Sequence, residues 1–322
     1  MTEEHPHYRL NGKRYEIAGH RSAAKFADLM KWQLNGQRAK WPRAMANAAH
    51  PPPPERVEGK ALALTWIGHS TVLLQTAGLN ILTDPFLSER ASPVQWAGPK
   101  RVRAPGLAVK QLPPIDIILL SHNHFDHMDL PALKQIALRH RPRIVTPLGN
   151  GRYMQNAMAG LHIDELDWHG SLHSGDTRLT LTPALHWSKR GFSDTNQTLW
   201  GAFVIETAGG VIYFAGDTGY GEGNTFRGIR ARFGTPRLSL LPIGAYEPRW
   251  FMKAHHMNPD DAAAAHIDLG SRTSIAIHHG TVQLTDEAID APAKALRVAL
   301  AARNIDPAHF IVADIGQSIA IP

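Results

Sequence analysis

From residue 61 onward, short apolar runs recur between Gly, Pro and Asp, a pattern that predicts strands joined by tight turns. Residues 61–66, 71–76 and 79–83 read as a strand series turning at Gly68 and Gly78, and 115–120, 144–146, 178–182, 202–206, 211–215, 238–242 and 274–277 read the same way. Helical spacing takes over at 130–139, 150–159, 260–269 and 286–303. Strand clusters broken by helices, then strands and helices again, predict an α/β fold of two packed sheets with helices outside. Two halves of such a sandwich could each send residues to one edge, although no internal repeat is visible.

Residues 1–54 follow a different pattern and read as a basic N-terminal extension, with the main domain over 55–322. Ser22 is placed to cap a short helix whose Phe26, Leu29, Met30 and Leu34 share one face, and Asn35-Gly36 would end it. Lys25 and Lys31 flank that face, and Trp32 and Trp41 lie close by. A basic amphipathic helix with tryptophans suits a membrane interface. Four apolar residues bury little area in lipid, so the expectation is that the stripe docks on its own domain. The run from Pro51 to Pro54 is a stiff spacer between the two parts.

Composition narrows the chemistry. With 43% hydrophobic and 19% charged residues, the 322-residue chain is expected to be globular. It has no cysteine, so thiol nucleophiles, disulfides and Cys-ligated zinc are excluded, and His and Asp must do all the metal binding. The first residues lack the apolar core of a signal peptide, and no run of about 18 apolar residues occurs. The expected location is cytoplasmic, or peripheral at the inner face of the membrane. Residues 1–60 hold 11 Lys and Arg against 6 Asp and Glu, which supplies most of the net charge of +6. Such a head suits an anionic surface or is simply a solvated extension. A nucleic-acid partner is set aside, because the positive charge is not interleaved with aromatics along a groove-forming stretch.

The densest chemistry lies at 121–129, where His122, His124, Asp126 and His127 form an H-x-H-x-D-H cluster directly after an apolar run. Asp129 and Pro131 then mark a helix start. Imidazole and carboxylate are ligands that borderline metals such as Zn²⁺ accept. Four ligands within six residues do not wrap one tetrahedral ion comfortably. They can serve two ions, His122 and His124 facing one and Asp126 and His127 the other, at the roughly 3.5–4 Å spacing of two-metal hydrolases.

Five further segments carry candidate residues, each after an apolar strand. Asp84, in Thr83-Asp84-Pro85, can orient a ligand imidazole or make an ordinary Asx turn. His186 beside Trp187 is by itself also what a packed core histidine looks like. Asp217 lies in the small-residue turn Ala215-Gly216-Asp217-Thr218-Gly219, placed to bridge two metals or to cap a turn. His278 and His279 end a strand, and His256 precedes a helix that it could cap or from which it could reach a substrate oxygen. A dinuclear site needs about seven ligands. His186, Asp217 and His278 supply the three types that the cluster lacks.

The order H-x-H-x-D-H, His, Asp, His resembles the metallo-β-lactamase fold superfamily, which implies an αββα sandwich with two metals at one edge. The stretches TWIGHSTVLLQ, ILTDPFLSERASPVQWAGPKR, LPPIDIILLSHNHFDHMD, ELDW, HWSKR, LWGAF, FAGDTGY, RFG and LPIGAYEPRWFMKAHH resemble the N-acylphosphatidylethanolamine-hydrolysing phospholipase D family over roughly 55–315. The resemblance implies two Zn²⁺ per chain, with Mn or Fe as alternatives: His122, His124 and His186 on one ion, Asp126, His127 and His278 on the other, Asp217 bridging. It also implies that Asp84 and His69 lie behind the ligands and that Asp126, Asp217 and His256 are the catalytic residues. Ser70 and His279 depart from the family pattern, where alanine and tryptophan are expected.

The reaction implied is phosphodiester hydrolysis by a metal-bridging hydroxide, releasing N-acylethanolamine and leaving phosphatidate. Trp96, Tyr246, Trp250, Phe251 and Met252 are candidates for the wall of a lipid groove. Two other readings stand beside it: hydrolysis of a small soluble phosphoester or sugar-phosphate lactone, and a non-catalytic membrane-associated metal-binding protein. The implied partners are a phospholipid or small phosphoester and a peripheral membrane contact; a homodimer is one option for an oligomeric state that the sequence leaves open.

Overall fold

The computed structural model describes all residues except 1–7, 13, 18, 21–25 and 159, so the expected cap Ser22 and flanking Lys25 lie outside the described residues. A hairpin of β1 (Tyr8–Asn11) and β2 (Arg14–Ile17) and helix α1 (Phe26–Asn35) precede the sheets. Strands β3 (Leu62–Gly68), β4 (Thr71–Thr76), β5 (Leu79–Thr83), β6 (Ile117–Leu119), β7 (Arg143–Pro147) and β8 (His162–Leu166) follow, with α2 (Leu130–His140) and α3 (Gly151–Ala157) between them. Then come β9 (Ser171–Ser174), β10 (Thr177–Thr182), β11 (Ala202–Thr207), β12 (Gly210–Phe214), α4 (Asn224–Phe233) and β13 (Leu238–Pro242). The chain closes with α5 (Arg249–Met252), α6 (Pro259–Leu269), β14 (Thr273–Ile277), α7 (Ala291–Ala302), β15 (Phe310–Ile311) and β16 (Ser318–Ile321).

Two seven-stranded sheets result, ordered β16-β3-β4-β5-β6-β7-β8 and β15-β14-β13-β12-β11-β10-β9. Alternate side chains of one strand point to opposite faces. In the first sheet, Leu64, Trp66, Val72, Leu74, Ile81, Ile117 and Leu119 therefore join the core shared with the second sheet. Ile67, Leu73, Leu82 and Ile118 pack on the other face with Leu133 and Ile136 of α2 and Met154 of α3. The second sheet is backed by Phe226 and Ile229 of α4, Ala262 and Leu269 of α6 and Leu296 of α7. This is the expected αββα sandwich. At the start of α2, Asp129 accepts from Ala132 N (3.1 Å) with a proline in the first turn, as the sequence predicts.

Elsewhere tertiary contacts override local pattern. The helix expected from 286 begins at Ala291, because the preceding acidic residues are engaged elsewhere. Asp286 Oδ1 accepts from Trp32 Nε1 (2.9 Å), and Glu287 holds the N–H groups of Ala245 (2.6 Å) and Glu247 (3.1 Å). Strands β8, β9, β15 and β16 and helix α4 have patterns too short or too polar to stand out.

The N-terminal part lies against the domain, but not by the expected stripe. The side chain of Phe26 lies outside what is described; among the described side chains of α1, Trp32, 7% exposed, is the buried one and stacks on Phe251 at 5.3 Å, whereas Leu29, Met30 and Leu34 are 38%, 41% and 77% exposed. The indole hydrogen bond of Trp32 and its stack on Phe251 outweigh helical periodicity in choosing the inward face. Beyond it, Ala39 N donates to Asp286 O (2.8 Å), Trp41 Nε1 to Glu287 O (2.8 Å) and Met45 N to Val102 O (2.7 Å). Among the described residues, no helix is long and apolar enough to cross a membrane.

Candidate metal centre

Strand ends at one edge of the sandwich bring the predicted residues together, where open α/β sheets place their sites. His69 follows β3, Asp84 follows β5, and the 121–129 loop follows β6; His186, Asp217 and His278 follow β10, β12 and β14. One trio is His122 Nε2, His124 Nδ1 and His186 Nε2, the middle atom lying 2.8 and 3.3 Å from the other two. The other group surrounds Asp126 Oδ2, which lies 2.9 Å from His69 Nε2, 3.4 Å from His127 Nε2 and 3.5 Å from His278 Nε2. Between them sits Asp217 Oδ2, 3.1 Å from His278 Nε2, 3.2 Å from His127 Nε2, 3.7 Å from His186 Nε2 and 4.0 Å from His122 Nε2.

Hydrogen bonds behind the site aim these atoms. Asp84 accepts from Ser121 N (2.7 Å), Ser121 Oγ (2.5 Å) and His127 Nδ1 (2.6 Å). Having given its only proton to Asp84, the Ser121 hydroxyl accepts from His122 Nδ1 (2.9 Å). Both imidazoles therefore carry their proton on Nδ1 and turn the Nε2 lone pair inward, the orienting role of a carboxylate behind metal ligands. His186 is fixed likewise, Nδ1 donating to the carbonyl of His255 (3.0 Å).

Two further residues, which sequence reasoning did not single out, hold the cluster in shape. Arg190 Nη1 donates to Asn123 O (3.0 Å) and Met128 O (2.8 Å), clamping both ends of the ligand loop, and its guanidinium lies 4.2 Å from the Phe125 ring centroid. Gly216 has φ +57°, and a Cβ there would lie 2.7 Å from Ser121 Cβ, so a side chain would push on the Asp84–Ser121–His122 chain. Backbone strain also gathers at the site: His69, Asp84 and His278 have φ of 55°, 30° and 61°, each costing on the order of 1–3 kcal/mol.

Charge and orphaned atoms test whether a metal fits. His127 Nε2, His278 Nε2 and Asp217 Oδ1 are buried without a hydrogen-bond partner among the described residues. Such groups are costly to leave unpaired. Burial pushes His124 down to about 4 and His122 and His186 well below the ordinary imidazole range, leaving neutral lone pairs. Burial would raise Asp217 and Asp126, yet neighbouring histidines, His127 foremost, hold both carboxyls well below the usual range. Burial likewise opposes charge on His127 and His278, but Asp217 and Asp126 outweigh it, raising His127 strongly and His278 to about 9. A divalent cation would take the place of the protons that Asp217 and Asp126 favour on His127 and His278, and neutral imidazoles around two ionised carboxylates are a donor set that suits a borderline divalent cation. The residues present fit metal binding.

The remaining candidates divide. His69 hydrogen-bonds Asp126 directly and stands at the site rather than behind it. His256 lies on the cavity floor, Nδ1 3.9 Å from Asp217 Oδ2, and burial pushes it down to about 4. It does not cap α6; Asn258 does, accepting from Asp261 N (2.8 Å). His279 turns away and stacks on Trp66 at 4.7 Å, so it does not compete with His278. A cavity of about 660 Å³ opens over His124, Asp126, Asp217 and His256, with Leu29, Trp187, Phe251 and Met252 on its walls. Of the other expected wall residues, Tyr246 is buried outside it, Trp250 borders a neighbouring cavity of about 370 Å³, and Trp96 is exposed to solvent.

Comparison with known proteins places this geometry. Residues 79–279 match the Beta-lactamase superfamily domain. The N-acyl-phosphatidylethanolamine-hydrolyzing phospholipase D 1 of Caenorhabditis elegans is 38% identical over 267 residues, covering 80% of this chain and 75% of that protein. A UPF0173 metal-dependent hydrolase of Methanoregula boonei is 30% identical over 80% of this chain and 98% of its own length. Among solved structures, a possible metal-dependent hydrolase from Veillonella parvula shares the fold with a TM-score of 0.65 at 19% identity, covering 80% of this chain and 99% of that one.

Proposed function

The chain belongs to the beta-lactamase superfamily and is a metal-dependent hydrolase of the metallo-β-lactamase fold, and on that premise we propose that it hydrolyses N-acylphosphatidylethanolamine in the phospholipase D manner. Water adds at phosphorus, the bond from phosphorus to the ethanolamine oxygen breaks, and N-acylethanolamine leaves while phosphatidate remains. The observation that carries this reading is the cavity: a floor of imidazoles and carboxylates under apolar walls suits a substrate that joins a phosphodiester to acyl chains.

Two Zn²⁺ ions, with Mn or Fe as alternatives, would supply Lewis-acid charge and lower the pKa of water to about 7. His122, His124 and His186 would hold one, Asp126, His127 and His278 the other, with Asp217 between them. The protein's own groups do the rest. Asp84 and Ser121 keep the imidazole lone pairs inward, and Arg190 keeps the loop from spreading. His256, neutral at ordinary pH, offers one N–H and one lone pair on the cavity floor for the phosphate or the departing oxygen. Trp187, Phe251 and Met252 exclude water and receive acyl chain.

The test is turnover of N-acylphosphatidylethanolamine in mixed micelles, with metal content measured on the same sample. Release of N-acylethanolamine that disappears in His122→Ala supports the reading. About two metals per chain without lipid cleavage would instead assign the site to a small phosphoester or lactone.

A further inference from the structure

Helix α1 lies outside residues 79–279, which carry the family match, yet it builds part of the site cavity. Leu29 and Trp32 stand on the cavity wall with Phe251 and Met252, over the floor of His124, Asp126, Asp217 and His256. Trp32 also lines the neighbouring cavity of about 370 Å³, and among the described residues it alone lines both. Its ring is therefore the partition between the two. Behind it, Pro248 and Trp250 alternate with polar groups such as Asn35 and Gln37.

The partition is held from several sides. Trp32 stacks on Phe251 with ring centroids 5.3 Å apart and planes 29° from parallel, and Nε1 donates to Asp286 Oδ1 (2.9 Å). The Arg38 guanidinium lies 4.9 Å from the ring centroid. The helix end approaches so closely that a Cβ at Gly36 would stand 2.7 Å from the Trp32 carbonyl oxygen and 3.1 Å from its ring atom Cδ1. Asp286 is itself anchored, its N–H donating to Glu247 O (3.2 Å) and its carbonyl accepting from Ala39 N (2.8 Å). A side chain locked by packing and hydrogen bonding can set the shape of a site, because a ligand must fit it rather than move it.

We propose that Trp32 is a specificity-determining residue of this site: its ring is the stop at which the apolar chain of a substrate ends, and it sets the chain length that the cavity accepts. A chain whose phosphate lies on the floor runs along Met252 and Phe251 and gains contact with each methylene until it meets the indole. Longer chains must bend back or leave their ends in water, and the gain stops. The inference deepens the lipid-substrate reading and rests on it for the nature of the chain; the partition rests on the geometry of α1.

The experiment is calorimetric titration of the metal-loaded full chain with unbranched alkyl phosphates from hexyl to tetradecyl, each below its micelle concentration. Affinity is expected to rise about fourfold per added methylene while the alkyl chain is being buried, then to level off at one length. Trp32→Leu is expected to move that length upward. Leu29→Trp, which fills the cavity from the same helix, is expected to move it downward. The longest alkyl phosphate should then separate the two variants by about fourfold or more. Leu29 is 38% exposed, so its variant decides the matter even where Trp32→Leu lowers the unfolding midpoint. One break shared by the wild type and both variants, or affinity that climbs through the series without a break, would overturn the proposal and leave the lipid reading standing. Affinity indifferent to alkyl length would remove both. Breaks that move as expected in a protein that does not cleave N-acylphosphatidylethanolamine would support the role of Trp32 and remove the phospholipase reading.

Discussion

The two sheets share one plan and use it differently. Each passes through three antiparallel pairings and then three parallel ones. β5 and β12 hold the change from one kind of pairing to the other, and each ends near an aspartate, Asp84 and Asp217. β3 and β10 lie second from the antiparallel edge, and each is followed by a histidine, His69 and His186. Equal topology gives equal positions, yet the chemistry diverges. Asp84 is saturated by Ser121 and His127 and acts through them. Asp217 places Oδ2 within 4.0 Å of five imidazoles and leaves Oδ1 unpartnered. What surrounds a strand end, more than which strand it ends, decides whether a carboxylate binds or orients.

Substituting the paired aspartates breaks that comparison most directly. Asp217→Asn removes the shared central charge, so activity is expected to fall to background with metal content reduced and the fold kept. Full metal occupancy with normal turnover would refute the central role. Asp84→Asn keeps the size and one acceptor oxygen, but it puts an NH2 donor where one of the two carboxylate oxygens accepts from Ser121 and His127, and it loses the charge behind His127. A reduction of about 10–100-fold in metal affinity or activity is expected, read by titration with a chelator. Equal losses in the two variants would mean that the two positions are not different in kind.

Arg190 sharpens the comparison because it belongs to the second half and clamps the ligand loop of the first. Arg190→Met keeps length and apolar bulk but leaves two carbonyls without their charged donor. It is expected to lower stability by roughly 1–3 kcal/mol in urea unfolding, with a smaller effect on turnover than either aspartate. An unchanged midpoint would show that the loop holds its shape without the clamp.

How much could be read in advance follows the same division. The loop from His122 to His127 was legible because its ligands lie within six residues and local backbone geometry sets their directions. Asp217, His186 and His278 were legible only as residue types completing a set. His69 shows the limit: nothing local in Gly68-His69-Ser70 says that the ring reaches Asp126 across 57 positions of sequence. Arg190 was invisible for the same reason, since a basic residue near a turn is ordinarily a solvated one. The face of α1 was misjudged because periodicity counts apolar residues, and the inward face was chosen by the stack of Trp32 on Phe251 and its bond to Asp286.

By itself the sequence determined the element types, the α/β sandwich and the donors available, because strand alternation, helix spacing and ligand chemistry are properties of neighbouring residues. Only the tertiary structure decided that Asp217 Oδ2 gathers five imidazoles while Asp84 is taken up by Ser121 and His127, that α7 starts at Ala291, and that Leu29, Met30 and Leu34 of α1 face solvent. Each of those depends on which distant group arrives first at a buried donor or acceptor, and that is settled by the packing of the two sheets.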